Sequence, residues 1–175
     1  WGTAIAGHLA ARTAAKPAVT LWCRNEQHAR QLAATRENAR YLPGIELPSA
    51  LACTADLSAA ATADLLFAAT PIAALPELVQ RLLDVGARAP LLWLSKGFLA
   101  APDRAAGCAL AHQVIAPRWP RPVGIVSGPS FAVEVAQGLP TAVAVAATDA
   151  ALARDVAALL RGDTLRAYES DDIAG

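Results

Sequence analysis

The 175-residue sequence predicts an α/β fold with a doubly wound, mostly parallel sheet and helices on both faces. Two observations carry that expectation. Short apolar runs alternate with longer segments of helical periodicity along the whole chain. The runs are also apolar at consecutive positions rather than at every second one, as in Leu65-Leu66-Phe67-Ala68-Ala69 and Leu91-Leu92-Trp93-Leu94. A strand of that kind must be covered on both faces, which a parallel sheet flanked by helices provides. Right-handed crossovers between such strands give a Rossmann-type domain.

The elements follow in order. Residues 3–15, rich in Ala and Leu, predict a helix, 19–23 a strand and 26–36 a helix. Leu42-Pro43-Gly44 and Leu47-Pro48 punctuate a loop. A short strand is expected over 51–54 and a helical turn over 58–62. The strand at 65–69 closes on Thr70-Pro71, and residues 72–84 form a helix with Leu75, Leu78, Val79, Leu82 and Leu83 on one face. The strand at 91–94 ends at Ser95-Lys96-Gly97, and 103–115 predict a helix. Val123-Gly124-Ile125-Val126 is a strand ending at Ser127-Gly128-Pro129-Ser130, with a helix to about residue 137. A strand over 141–147, a helix over 150–161 and a strand over 165–168 complete a single domain spanning 1–175. The opening on Trp1-Gly2-Thr3 and the end after a strand-like segment suggest a domain incomplete at both ends.

Composition narrows the function. Hydrophobic residues make up 55% and charged residues 17%, enough apolar side chain for a core and too little charge for a disordered chain. Formal net charge is zero, so neither a nucleic-acid nor an anionic-membrane partner is expected. No apolar run approaches the roughly 20 residues of a membrane span. Gly7-His8 and Arg12 interrupt the opening stretch, which does not read as a signal peptide. Cys23, Cys53 and Cys108 are scattered and form no CxxC, so they are expected to be reduced, buried and cytoplasmic. His8, His28 and His112 have no metal-binding spacing, and no metal is expected. GxSxG and Walker motifs are absent from the sequence.

In open α/β sheets, ligands sit beyond the carboxyl ends of the strands. That rule selects four places. Gly2 stands where a dinucleotide fingerprint puts its third glycine, just inside the first helix. Arg24 follows the next strand, where an acidic residue would hold the ribose 2′-hydroxyl of NAD. With no carboxylate before Glu26, Arg24 suits a 2′-phosphate or stacks on adenine, which leans toward NADPH over NADH. Lys96 is one of only two lysines beside 13 arginines, and it sits at a strand tip before a glycine. Its compact ammonium fits an anionic or carbonyl-bearing ligand. In Ser127-Gly128-Pro129-Ser130-Phe131-Ala132, the glycine permits close backbone approach, Ser130 is placed to cap the next helix, and the helix's free N–H groups could hold an anion. Each of the four also has an ordinary structural reading, as a helix start, a surface cation or a capped turn.

Taken with their neighbours, these places resemble the bacterial glycerol-3-phosphate dehydrogenase family. Trp1-Gly2-Thr3-Ala4 resembles the end of its GxGxWGTA opening, and Leu21-Trp22-Cys23-Arg24 its LWxR strand. Arg36-Glu37-Asn38-Ala39-Arg40-Tyr41-Leu42-Pro43-Gly44-Ile45 resembles its RENxxYLPGI segment. Ser95-Lys96-Gly97 resembles TKG, and the runs at 127–132 and 138–142 resemble SGPSFA and GLPTA. The order and spacing agree over the whole chain. The resemblance implies reversible, NAD(P)H-dependent reduction of dihydroxyacetone phosphate to sn-glycerol 3-phosphate for phospholipid synthesis. It implies cofactor contacts from Trp1, Gly2, Arg24, Lys96 and Ala132, and substrate contacts from Lys96, Gly128 and Ser130, with Lys96 positioning the substrate for catalysis.

The departures set further expectations. The family's first strand and two fingerprint glycines would precede Trp1. Its GGALKNV segment, with the proposed acid/base lysine, would begin just after Gly175, and a helical domain would follow. On the resemblance, the segment alone holds cofactor elements without completing the reaction, and any homodimer surface lies in that further half. Ser95 stands for the family's threonine and Cys23 for a common glycine. Two alternatives share the fold: a related hydroxyacid or ketopantoate-type dehydrogenase, and a nucleotide-binding module without catalysis.

Overall fold

The computed structural model describes residues 1–12 and 17–174. In chain order, α1 (Gly2–Ala10), β1 (Thr20–Trp22) and α2 (Glu26–Thr35) lead into a hairpin of β2 (Glu37–Asn38) and β3 (Leu42–Glu46), followed by β4 (Ala52–Thr54). A 3-10 helix over Leu57–Thr62 precedes β5 (Leu66–Ala68), and a short 3-10 turn precedes α3 (Leu75–Asp84). Next come β6 (Leu91–Trp93), a hairpin of β7 (Phe98–Ala100) and β8 (Cys108–Leu110), and α4 (Ala111–Ile115). The chain continues through β9 (Val123–Ser127), α5 (Ala132–Ala136), β10 (Thr141–Ala147), α6 (Ala150–Leu160) and β11 (Leu165–Ser170).

Five strands form one sheet in the order β11-β10-β9-β6-β5, and β1 pairs in parallel with β4 as a separate two-stranded unit. All pairings in the large sheet are parallel except β9 with β10. In that pair Ala144 stands opposite Ser127 and Ala147 opposite Gly124, so the chain re-enters the sheet beside the end of β9 that it has just left.

β6 shows why the sheet is doubly covered. Leu91 and Trp93 pack on one face with Leu75, Val79, Ile115 and Val123, under α3 and α4. Leu92 and Leu94 pack on the other with Ile5, Val126, Val145 and Leu160, under α1 and α6. Alternate residues of a strand point to opposite faces, so both sets must be apolar. Helix boundaries follow local chemistry. Asn25 caps α2 by accepting from the His28 N–H at 2.8 Å, and Asp149 caps α6 by accepting from Leu152 N–H at 3.0 Å. Arg36 ends α2 in the left-handed region at φ 53.

Three expectations change. The first helix ends at Ala10, and residues 13–15 of the expected span lie outside the described residues. Residues 42–46 are a strand rather than loop, paired with Glu37–Asn38 across a register shift. The helix expected over 103–115 is confined to Ala111–Ile115. Before it, the chain turns through Gly107 at φ 64, where Ala101 N–H donates to the Gly107 carbonyl at 2.9 Å, and β8 pairs with β7. The alanines there favour helix locally, but a glycine in the left-handed region breaks it. No helix among the described residues is long and apolar enough to cross a membrane.

The cysteines are half-buried rather than buried, and all three are free. Cys23 and Cys53 pack beside Leu32, Leu47 and Leu51 beneath α2. Burial, and next the neighbouring Cys53, push the Cys23 thiol up to about 11 from 9.0. Burial also raises Cys53, against the pull of Arg36.

Two outcomes are expected. Leu92, fully buried under α1 and α6, should on truncation to alanine lose about 2–5 kcal/mol in chemical denaturation. A thiol whose folded value is raised contributes stability below its unfolded value and loses that contribution as pH climbs through the folded one. Unfolding free energy should therefore fall between about pH 9 and 11, and Cys23→Ala should flatten that fall. An unchanged slope in the variant would remove Cys23 as its source.

Candidate functional site

Because β5, β6 and β9 run parallel, their carboxyl ends bring three loops to one edge. The loop after β6 carries Lys96, and the turn after β9 carries Gly128 and Ser130. Trp1, at the amino end of α1, lines one cleft with Lys96, Gly128 and Ser130, above Leu94 and Val143. Lys96 Nζ donates to the Gly128 carbonyl at 2.6 Å. That bond takes one of the three ammonium donors and leaves two.

Gly128 cannot readily be another residue. It sits at φ 157, and a Cβ there would lie 2.8 Å from the Ala142 carbonyl oxygen and 3.1 Å from Val143 Cα. β10 thus presses directly on the turn and fixes the carbonyl that Lys96 meets. Ser130 does not cap α5 as its position suggests. Its hydroxyl leans on the Gly128 carbonyl at 3.4 Å, and its N–H donates to the same oxygen at 3.0 Å. The Glu134 carboxylate instead accepts from Phe131 N–H at 3.1 Å. The Ser130 and Phe131 N–H groups, just ahead of this short helix, are therefore already engaged. Ala132 opens α5 beside this turn.

Gly2 lies at the junction of the two sheets. A Cβ on it would meet Ala69 Cβ at 2.9 Å and Leu21 Cδ1 at 3.9 Å, so only glycine lets α1 approach the ends of β1 and β5 this closely. α1 begins at Gly2, with Trp1 at its N-cap. Arg24 is placed apart from the cleft, exposed at the end of β1, and takes part in none of the ion pairs found among the described residues. The structure therefore gathers Trp1, Lys96, Gly128 and Ser130, sets Gly2 behind them, and leaves Arg24 at the neighbouring strand tip.

Sequence reasoning missed a second group near Arg24. The β2–β3 hairpin folds back over the start of α2. Its Tyr41, 63% exposed, meets the His28 ring edge-on at 6.2 Å, with the Arg40 guanidinium 5.1 Å from the Tyr41 ring centre. A two-residue strand leaves no periodicity to read, and Pro43-Gly44 imitates a loop. The signal lay in the wording of 36–45. Arg36 donates to the Pro48 and Leu51 carbonyls, and the Glu37 carboxylate accepts from Gly44 N–H at 2.8 Å.

Comparison with known proteins follows the same outline. A glycerol-3-phosphate dehydrogenase [NAD(P)+] of Dechloromonas aromatica (strain RCB) is 44% identical over 178 residues, covering 100% of this chain and 51% of the relative. The chain spans about half the length of the curated relatives it matches. A crystal structure of glycerol-3-phosphate dehydrogenase from Coxiella burnetii superposes with a TM-score of 0.86 at 32% identity, over 99% of this chain and 51% of the other. A ketopantoate reductase from Ralstonia eutropha JMP134 shares only the fold, at 11% identity and a TM-score of 0.62 over 99% of this chain and 53% of the other. The model of the NAD-dependent glycerol-3-phosphate dehydrogenase N-terminus matches residues 1–153, and by that match the chain belongs to this family.

Proposed function

We propose that this chain supplies the dinucleotide-binding part of an NAD(P)H-dependent enzyme that reduces dihydroxyacetone phosphate to sn-glycerol 3-phosphate. The observation that carries the proposal is the cleft at the carboxyl ends of the strands, where Lys96, locked to the Gly128 carbonyl at 2.6 Å, stands beside Trp1 and Ser130.

The residues present fit a dinucleotide. Gly2 holds a close approach that a Cβ would fill, and the amino end of α1 is the kind of terminus that receives a pyrophosphate. Arg24 can pair with a 2′-phosphate at the tip of β1, which favours NADPH. Trp1, which lines the cleft, and Ala132, at the start of α5, are assigned to the cofactor, whose nicotinamide supplies the hydride when bound. Lys96, Gly128 and Ser130 are assigned to the substrate. Lys96 directs its remaining N–H donors at the carbonyl or phosphate oxygens of the substrate and holds it against the cofactor face. Charge developing on the carbonyl oxygen during reduction is stabilised by an ammonium whose position is already fixed. A cytoplasmic setting, which keeps thiols reduced, suits the three free cysteines.

The test is dinucleotide oxidation by the full-length protein, followed by absorbance with dihydroxyacetone phosphate as substrate. Turnover is expected, faster with NADPH than with NADH. A folded protein without turnover would favour a related dehydrogenase or a non-catalytic nucleotide module. Lys96→Ala should cut kcat/KM by about 100-fold or more, as for loss of one preorganised donor. Wild-type kinetics in that variant would take Lys96 out of the site. Arg24→Ala should erase the preference for NADPH, and a retained preference would assign the 2′-phosphate elsewhere.

A further inference from the structure

The segment 36–46 is held more heavily than a surface hairpin requires, and its anchor is Asn38. Asn38 is 2% exposed, and its Nδ2 donates to Thr3 Oγ1 at 2.7 Å. Its backbone carbonyl accepts from Tyr41 N–H at 3.1 Å, closing the turn that carries Arg40 and Tyr41. One residue therefore joins that turn to the first turn of α1, two positions after Trp1. The side-chain bond is a poor stability device. Asn38 Oδ1 is buried with no partner among the described residues, and leucine would fill the same space without an orphaned oxygen. What the amide supplies, and leucine cannot, is a directional link between two surfaces.

Both surfaces lie beside β1 and the helix that follows it. On one side is the amino end of α1, where a Cβ on Gly2 would meet Ala69 and Leu21. On the other is the exposed Tyr41 ring, braced by His28 and Arg40 and reaching back over the start of α2, whose cap Asn25 directly follows Arg24. We infer that Asn38 is a positioning residue for the adenylate end of the bound dinucleotide, acting through Thr3 and through the turn it closes. The inference rests on the dinucleotide function proposed above. Asn38 touches no ligand itself. It sets the spacing between the turn that receives phosphate and the hairpin wall that faces the adenosine.

The test compares Thr3→Ser, Thr3→Val and Asn38→Leu in the full-length protein, with kcat and the separate KM values for NADPH and dihydroxyacetone phosphate. Thr3→Val and Asn38→Leu are each expected to raise KM for NADPH about ten-fold, the effect of losing roughly one oriented hydrogen bond. Their kcat should stay within about two-fold and KM for dihydroxyacetone phosphate should not move, a split that general loosening of the fold would not give. Thr3→Ser keeps the hydroxyl and should behave as wild type. Combining Thr3→Val with Asn38→Leu should add nothing to the larger single effect, because both remove the same link. If Asn38→Leu does not fold, the near-isosteric Thr3→Val carries the test. A folded Thr3→Val with wild-type KM for NADPH, a parallel loss in kcat, or a Thr3→Ser as impaired as Thr3→Val would each overturn the role of Asn38. A wild-type protein that saturates with neither dinucleotide would instead overturn the functional proposal, and this inference with it.

Discussion

The structure depends on the burial of β6 from both sides. Leu91, Leu92, Trp93 and Leu94 are all under 10% exposed, and they face two different cores in alternation. Each fully buried side chain of this kind contributes about 1.5–3 kcal/mol, so this strand is anchored from both faces. Lys96 stands two residues past Leu94, and a site proposed at that strand tip would rest on a well-packed element. The neighbouring turn is held as tightly, since β10 leaves no room for a Cβ at Gly128. The bond from Lys96 to the Gly128 carbonyl thus joins the ends of two packed strands.

The part around β1 and β4 is built differently. Among the described residues, β1 pairs with β4, and Ala6, Leu32, Leu47 and Leu51 form the core there. Polar ties run beside it. Arg36 clamps two carbonyls of the 48–51 turn, Glu37 holds Gly44, and Asn38 reaches Thr3. Bonds of this type contribute modestly to stability, roughly 1 kcal/mol each, but they are directional. They fix where the hairpin lies rather than how strongly it is held. The domain therefore places its cleft residues by packing and its outer hairpin by hydrogen bonds.

Much of this was legible in the residues. The double-sided apolar runs gave the parallel sheet, and the position of Lys96, Gly128 and Ser130 after such runs pointed to the carboxyl edge. The 103–115 segment was misread because its alanines favour helix locally, while the pairing of Cys108–Leu110 with Phe98–Ala100 is a long-range fact. The antiparallel entry of β10 was equally hidden, since strand direction in a sheet is a long-range pairing that local periodicity does not record.

The sequence by itself determined most of the alternation of elements, the two-faced core and the strand-end residues, because periodicity and the order of elements along the chain are local properties that survive without coordinates. Only the tertiary structure decided which of those residues meet. It brought Trp1, Lys96, Gly128 and Ser130 to one cleft, took Ser130 away from the helix cap, and set Tyr41 against His28. Those pairings join positions distant along the chain, and their geometry depends on how whole strands and helices pack, which no short pattern of residue types records.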